Sequence, residues 1–347
     1  MWPAKQPENI IVRMPNWLGD LVMATPVLAN LRERYKLARI TAMCQSGVGK
    51  LIEHDPHIDE LFVFNKPSGW LHRDEYRNII TPLQHGKYDL GVLLTNSFSS
   101  TFRFWKGSVK NRIGFSKNMR CLFLNKAVPF PKNLEKQHLV QTYQMLLAPL
   151  GIEETHTAPK LYITDNEVLA AKMMLEKYGV QNDNIIIGIN PGAAYGSAKC
   201  WLPERFKEVT EKLLTDPQVR VVYFGDKVGA PLVNEICNGF DGRVLNMAGK
   251  TSLRELMALI SLCRVFLTND SGPMHIASAL ETPLVALFGS TSDVKTGPYS
   301  GGTVIHKHVS CSPCYKRVCP IDFKCMKQIG VDEVYQTIKE RKEENRK

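Results

Sequence analysis

Thr268-Asn-Asp-Ser-Gly-Pro-Met-His-Ile-Ala-Ser-Ala-Leu280, followed by Pro283-Leu-Val-Ala-Leu-Phe-Gly289, decides the fold of this chain. Ahead of the loop, Arg264-Val-Phe-Leu-Thr268 is a short apolar run with strand character, and Leu284 to Phe288 is another. Between them, Met274 to Leu280 has room for about two helical turns, and Gly272-Pro273 suits a helix start because Pro is tolerated at the first helical position. Strand, polar loop, short helix and strand make a βαβ unit whose loop lies at a strand's carboxyl end, where ligands sit in open α/β sheets. The N–H groups of a helix start favour an anion, and Ser271 and His275 can add donors. A helix that Asp270 and Ser271 merely cap explains the same residues. The stretch therefore sets the fold and leaves the site to the rest of the chain.

Length and composition bound the answer. The 347 residues fit about two domains of ordinary size. An apolar share of 44% and a charged share of 22% are those of a globular protein, and no run approaches the roughly 18 apolar residues of a membrane helix. The opening Met1-Trp-Pro-Ala-Lys-Gln-Pro-Glu lacks the apolar core of a secretory signal, so a cytoplasmic protein is expected. The formal charge of +10 invites a polyanionic partner. Much of it lies in one run, where Arg103, Lys106, Lys110, Arg112, Lys117, Arg120, Lys126, Lys132 and Lys136 are opposed by Glu135 alone. A solvated face accounts for such a run; an anion-binding patch accounts better for one sign dominating. No RRM, KH or helix-turn-helix signature accompanies it, which disfavours nucleic acid.

Working outward, Asn9-Ile-Ile-Val-Arg-Met14 reads as a buried strand, and the loop Pro15 to Asp20 leads into helical spacing from Leu21 to Tyr35, with irregular first turns at Pro26. Strands are expected at Arg39–Cys44, Leu61–Phe64, Tyr88–Leu94, Asn184–Ile189, Val219–Phe224 and Val244–Met247. Alternating strands and helices imply parallel sheets covered on both faces. A helix from about His138 to Leu150 ends at Gly151, and the boundary is placed after residue 155, giving domains 1–155 and 156–347. A last helix, Val331 to Arg341, packs on either domain.

Standard phosphate motifs are missing. Ser46-Gly-Val-Gly-Lys50 fails as a P-loop because Cys44 takes the first Gly position and Leu51 the Ser/Thr position. No dinucleotide fingerprint follows a strand, which argues against an oxidoreductase, and no D-x-D pair is present to hold a metal on a nucleotide diphosphate. Phosphate chemistry would rest on Lys, backbone N–H groups and helix starts. The loop Asn190-Pro-Gly192-Ala193 lets a ligand approach the backbone, and Lys199 follows in it. Asp20, at a helix start, is a general base for an acceptor hydroxyl or simply a stabilising first-turn acid.

The motifs Arg13-Met-Pro-Asn-Trp-Leu-Gly-Asp-Leu-Val-Met-Ala-Thr-Pro26, Asn190-Pro-Gly-Ala-Ala-Tyr-Gly-Ser-Ala-Lys-Cys-Trp201 and Thr268-Asn-Asp-Ser-Gly-Pro-Met-His275, in that order, resemble the ADP-heptose:lipopolysaccharide heptosyltransferases of glycosyltransferase family 9, most of all the heptosyltransferase II branch. The resemblance implies an α/β protein of GT-B fold, two Rossmann-like domains with parallel sheets facing a cleft. It implies inverting transfer of L-glycero-D-manno-heptose from ADP-heptose to the heptose/Kdo inner core of lipopolysaccharide, on Kdo2-lipid A bearing heptose, at the inner face of the cytoplasmic membrane. No cofactor is implied for catalysis. By the same resemblance Asp20 is the catalytic base and Lys199 neutralises the departing phosphate. Asn190, Gly192, Ala193, Thr251, Asp270, Ser271, Gly272 and His275 hold the donor. Gly229 stands where relatives carry a ribose-binding acid, so Asp226 is the substitute. Asn16 and Trp17 in the first motif, with Arg103, Lys106, Arg112, Lys117 and Arg120, are expected to meet the acceptor's carboxylates and phosphates. The other enzyme reading is a GT-B transferase with a different sugar nucleotide or acceptor.

The cysteines form a separate cluster, Cys311-x2-Cys314-x4-Cys319-x5-Cys325, while Cys44, Cys121, Cys200, Cys237 and Cys263 are scattered and expected to be buried. In a reducing compartment four close thiols suggest a structural zinc or iron, and four free thiols packing a loop fit equally.

Overall fold

The computed structural model describes residues 2–65, 76–132, 134–153 and 155–344. The chain divides into two compact units, Met1–Leu161 and Tyr162–Lys347. The break falls after Leu161 because Thr155, Thr157 and Lys160 still belong to the first unit: Asn30 Nδ2 donates to Thr155 Oγ1 at 2.8 Å, Thr157 Oγ1 donates to Asn30 Oδ1 at 2.9 Å, and Lys160 N donates to Thr25 Oγ1 at 3.2 Å.

The first unit runs β1 (Asn9–Arg13), α1 (Leu18–Met23), α2 (Thr25–Arg34), β2 (Arg39–Gln45), β3 (Glu60–Phe64), β4 (Leu90–Leu93), α3 (Phe98–Lys106), β5 (Asn111–Phe115), β6 (Lys126–Val128) and α4 (Leu139–Gln144). The strands are parallel in the order β3-β2-β1-β4-β5-β6. Pro26 lies in the first turn of α2, and the chain breaks at Ala24 between α1 and α2, which is the irregularity its sequence predicts. Beyond α4 the chain tightens into a 3-10 segment ended by Gly151 in the left-handed region (φ 71°), where glycine avoids the Cβ penalty. Strands β5 and β6 lie inside the basic run and were not anticipated.

The second unit runs α5 (Asp165–Glu176), β7 (Ile185–Asn190), α6 (Pro203–Leu213), β8 (Val219–Tyr223), α7 (Ala230–Cys237), β9 (Val244–Asn246), α8 (Leu253–Ser261), β10 (Val265–Asn269), α9 (Gly272–Ala279), β11 (Leu284–Phe288), β12 (Thr303–His306) and α10 (Val331–Glu344). Its parallel order, β12-β11-β10-β7-β8-β9, repeats that of the first sheet strand for strand. Capping boxes open α5 (Thr164 with Glu167) and α8 (Ser252 with Glu255), satisfying helix-start N–H groups on both sides of each cap. Helix α10 belongs to this unit: Val334 and Ile338 join the core with Phe206 and Val209 of α6, and Lys342 pairs with Asp216 at 3.0 Å.

In both sheets the strand order reverses between the first and fourth strands, at β1/β4 and at β7/β10. At such a switch point the flanking connections leave in opposite directions and open a crevice at the strands' carboxyl ends. Among the described residues no helix is long and apolar enough to cross a membrane.

Candidate functional site

In the second unit, β7 and β10 each end in a buried asparagine. Asn190 Nδ2 donates to the Gly192 carbonyl at 2.9 Å and to Ser271 Oγ at 3.2 Å. Asn269 Nδ2 donates to the Pro191 carbonyl at 2.6 Å, and its Oδ1 accepts from Trp201 N at 3.0 Å. A side-chain amide both donates and accepts, so these two residues staple the β7 loop to the β10 loop. Trp201 is buried edge-on against Phe206, and its ring N–H donates to the Ile329 carbonyl at 3.2 Å. That anchor, two residues on, fixes where Lys199 emerges.

Lys199 Nζ lies 2.5 Å from Asp270 Oδ2, with side chains 14% and 4% exposed. Thr291 Oγ1 donates to the same carboxylate oxygen at 2.5 Å, and the ammonium also lies 5.0 Å from the Tyr195 ring. Asp270 is thus an acceptor engaged by a cation and a hydroxyl, suited to fixing the lysine and not to removing a substrate proton. Lys199 keeps further N–H donors, since an ammonium has three.

Ser271 occupies the N-cap position of α9, yet its side chain makes no capping bond. Its hydroxyl instead meets Asn190 and, at 3.0 Å, Thr268 Oγ1. Asp270 is turned to Lys199. The helix that Asp270 and Ser271 merely cap is therefore not what forms, and the start of α9 keeps the partial positive charge that an anion would meet. A Cβ added to Gly192 would meet nothing within 4 Å, so the protein leaves space beside that backbone. His275 is buried in the first turns of α9, and Ala193 is half-buried. Thr251 is half-buried immediately before the Ser252 cap of α8. Asp226 accepts from Gly229 N at 2.7 Å and so already closes the turn into α7. A groove lined by Lys172, Leu175, Ile185, Arg264 and Pro283 lies at the amino-terminal ends of the strands and lacks this convergence of polar groups.

The Cys-rich segment straps this site. Cys314 N and Tyr315 N donate to the Ser290 carbonyl at 3.1 and 2.8 Å. The Arg317 carbonyl accepts from Ala198 N at 3.0 Å, Tyr195 OH donates to the Tyr315 carbonyl at 2.7 Å, and the Arg317 guanidinium lies 5.4 Å from the Tyr195 ring. Gly196 sits at φ 154°, and a Cβ there would run into the Arg317 carbonyl. The four thiols of the strap are not drawn up as a metal cage in this structure. A tetrahedral tetrathiolate with metal–sulfur bonds of ~2.3 Å needs sulfurs ~3.8 Å apart. Among the described residues the group of metal-ligating types whose atoms converge within 4.8 Å is Asp293, His306 and His308, not Cys311, Cys314, Cys319 and Cys325. Cys311 and Cys314 are exposed, Cys319 is half-buried and Cys325 is buried, its thiol pushed up by burial and by the other three thiols. The four lie near enough to act on one another electrostatically, without the spacing of a closed tetrathiolate. Cys121 is exposed and Cys200 and Cys237 are half-buried, so only Cys44 and Cys263 of the scattered set are buried.

In the first unit the loop after β1 is organised by Arg13. Its buried guanidinium donates to the Met14 carbonyl and to Asn16 Oδ1 at 2.5 Å, and stacks 4.7 Å from the Phe64 ring. Burial lowers its pKa to about 10, which still leaves it charged. Asn16 and Trp17 are exposed, and Asp20 is half-buried in the first turn of α1. Tyr143 on α4 donates its hydroxyl to Asp20 Oδ1 at 3.4 Å. Burial, then the Asp20 carboxylate, holds the Tyr143 phenol well above its ordinary range, so it stays a donor. Tyr143 was not singled out from sequence; neither were Asn269, Thr291 or the strap.

The basic run is not one solvent-facing patch. Arg120 is fully buried, donating to Thr101 Oγ1 at 2.6 Å and Asn96 Oδ1 at 3.0 Å, with burial lowering its pKa to about 10. Arg112 is half-buried and donates to the backbone carbonyls of Phe123 (2.6 Å), Val109 and Lys110 (3.2 Å). These two hold β5 and its turn. Lys106 and Lys117 are exposed and Arg103 is half-buried.

Known proteins of similar sequence agree with this architecture. The family model described as glycosyltransferase family 9 (heptosyltransferase) matches residues 76–324. Lipopolysaccharide heptosyltransferase 2 of Escherichia coli (strain K12) is 30% identical over 306 residues, 84% of this chain and 86% of its own. Lipooligosaccharide heptosyltransferase 2 of Campylobacter jejuni (serotype O:6) is 27% identical over 337 residues, 95% of this chain and 98% of its own. The solved structure of E. coli ADP-heptose LPS heptosyltransferase II superposes with a TM-score of 0.82 at 26% identity, covering 98% of this chain and all of that one. With its two parallel six-stranded sheets of GT-B type, the chain belongs to glycosyltransferase family 9, the heptosyltransferases.

Proposed function

We propose that this protein transfers L-glycero-D-manno-heptose from ADP-heptose to the heptose/Kdo inner core of lipopolysaccharide, with inversion at the anomeric carbon. The observation that carries the reading is the Lys199–Asp270 pair beside the uncapped start of α9, in a loop where space is left at Gly192. That set of groups suits a diphosphate that gains charge as it leaves. Relatives along most of the chain carry the name heptosyltransferase 2, and the solved relative is titled an ADP-heptose enzyme.

In this reading Asp20 removes the proton of the acceptor hydroxyl as its oxygen attacks the anomeric carbon. The carbon–oxygen bond to the β-phosphate breaks, and ADP leaves with its new charge on Lys199 and the α9 N–H groups. Tyr143 holds one carboxylate oxygen of Asp20. Asn190, Ala193, Ser271, Gly272 and His275 shape the diphosphate and sugar subsite, Thr251 borders the adenine, and Asp226 reaches the ribose only by giving up the Gly229 N–H. Asn16, Trp17, Arg103, Lys106 and Lys117 meet a membrane-borne acceptor; Arg112 and Arg120 are structural. No step calls for a metal or cofactor.

The test offers purified protein a panel of ADP-, UDP- and GDP-sugars with a deacylated inner-core acceptor. ADP-heptose should be consumed, in step with acceptor, at least tenfold faster than the others, a margin that needs ~1.4 kcal/mol of discrimination. Preference for another sugar nucleotide would replace the donor, and retention of anomeric configuration in the product would replace the mechanism.

A further inference from the structure

Helix α3 is apolar on two sides. Ser100, Thr101 and Phe104 are buried in the first unit. Phe98, Phe102 and Trp105, spaced i, i+4 and i+7, form a second stripe, and Phe123 packs on all three with ring centroids at 5.5, 5.5 and 5.2 Å. That contact leaves the stripe open: Phe98 is 44% and Trp105 49% exposed, while Leu122 and Met119, in the turn that carries Phe123, are 76% and 78% exposed. Contiguous exposed apolar side chains of this kind mark an interaction surface. The charged residues along this part of the chain are of one sign. Lys106 Nζ lies 5.9 Å from the Phe102 ring, Lys117 is exposed two residues before Met119, and no Asp or Glu occurs between Asp89 and Glu135.

We propose that this face docks on the headgroup region of an anionic phospholipid bilayer. Trp105, Leu122 and Met119 enter the interface, where an aromatic or apolar body beside a wet headgroup layer is favoured, and Lys106 and Lys117 meet lipid phosphates. A second copy of this chain fits the surface poorly, because a two-fold contact sets its lysines against themselves. For its purpose the inference rests on the membrane-borne acceptor proposed above; its test reads lipid binding and not transfer.

The full chain is floated with vesicles of phosphatidylethanolamine and phosphatidylglycerol, and with phosphatidylcholine vesicles. Wild-type protein should float with the anionic vesicles at low salt. Trp105→Ser/Leu122→Ser should lower the partition roughly tenfold or more through lost apolar burial. Lys106→Glu/Lys117→Glu should abolish the anionic preference and its salt dependence. If the Trp105 variant melts early, Met119→Ser/Leu122→Ser replaces it, since those side chains are almost wholly in solvent. The proposal is overturned if wild type stays with the unbound fraction, if both double variants float as wild type does, or if light scattering finds a dimer that the apolar variant splits. Met119→Ser/Leu122→Ser should keep full transfer to a deacylated acceptor. If wild type fails that transfer, the heptosyltransferase reading falls and the docking result still stands.

Discussion

At the end of β1, a buried Arg13 holds the loop from beneath, and the acid that follows, Asp20, stands half-buried beside Tyr143. At the matching end of β7, an asparagine ties the loop to its neighbour, and the acid of the partner strand, Asp270, is buried against Lys199. The two sheets have one strand order, so topology alone makes both ends crevices. The difference lies in how charge is handled. The second loop compensates its carboxylate internally and presents cation, amide and helix start. The first presents a half-buried carboxylate held by a neutral phenol. One strand order thus gives one end suited to an anion and another suited to a proton.

Breaking the first end should have the largest effect. Asp20→Asn keeps the shape and removes the base, and transfer should fall by ~10²–10⁴-fold, measured as single-turnover rate. At the second end, Lys199→Ala leaves Asp270 buried without its cation. The second unit should lose about 3–5 kcal/mol in urea unfolding, and adding Asp270→Asn should restore much of it. An unchanged midpoint would mean that the pair is not the compensating element. Gly196→Val adds a Cβ against the Arg317 carbonyl at a φ that L residues rarely adopt, so about 1–3 kcal/mol of strain should loosen the strap and raise donor KM. Tyr143→Phe removes one hydrogen bond to Asp20, worth about 0.5–1.5 kcal/mol, and should lower kcat up to roughly tenfold while leaving donor KM alone.

Between α5 and α8, Arg254 and the Thr164 cap hold the Glu167 carboxyl at about 2, below its ordinary 4.5. A carboxylate with a depressed folded pKa adds stability that is present above about 4.5 and is lost as pH falls towards 2. Arg254→Met should flatten that part of the acid-unfolding curve of the second unit.

Much of this was legible in the chain. The stretch from Thr268 to Gly289 announces strand, loop, helix and strand because its apolar runs are short and its punctuation is Gly-Pro. Pro26 predicts the α1–α2 break for the same local reason. Strands β5 and β6 stayed hidden because Asn111, Arg112 and Lys126 give them polar surroundings, and what makes Arg112 compatible with a strand is its bonding to distant carbonyls. Arg120 looked like surface charge since a sequence shows the guanidinium but not the Thr101 and Asn96 oxygens that receive it. Tyr143 meets Asp20 across 123 positions, a pairing no local pattern encodes. The cysteine spacing was visible, and its use as a strap over Gly196 depends on carbonyls that spacing does not report.

The division of labour between the two ends is tested most directly by titrating ADP into Asp20→Asn and Lys199→Ala, each first shown by melting to be folded at the temperature used. Asp20→Asn should bind ADP within about twofold of wild type, while Lys199→Ala should bind at least tenfold more weakly, a loss of ~1.4 kcal/mol or more. Lost ADP affinity in Asp20→Asn, or unchanged affinity in Lys199→Ala, would contradict it.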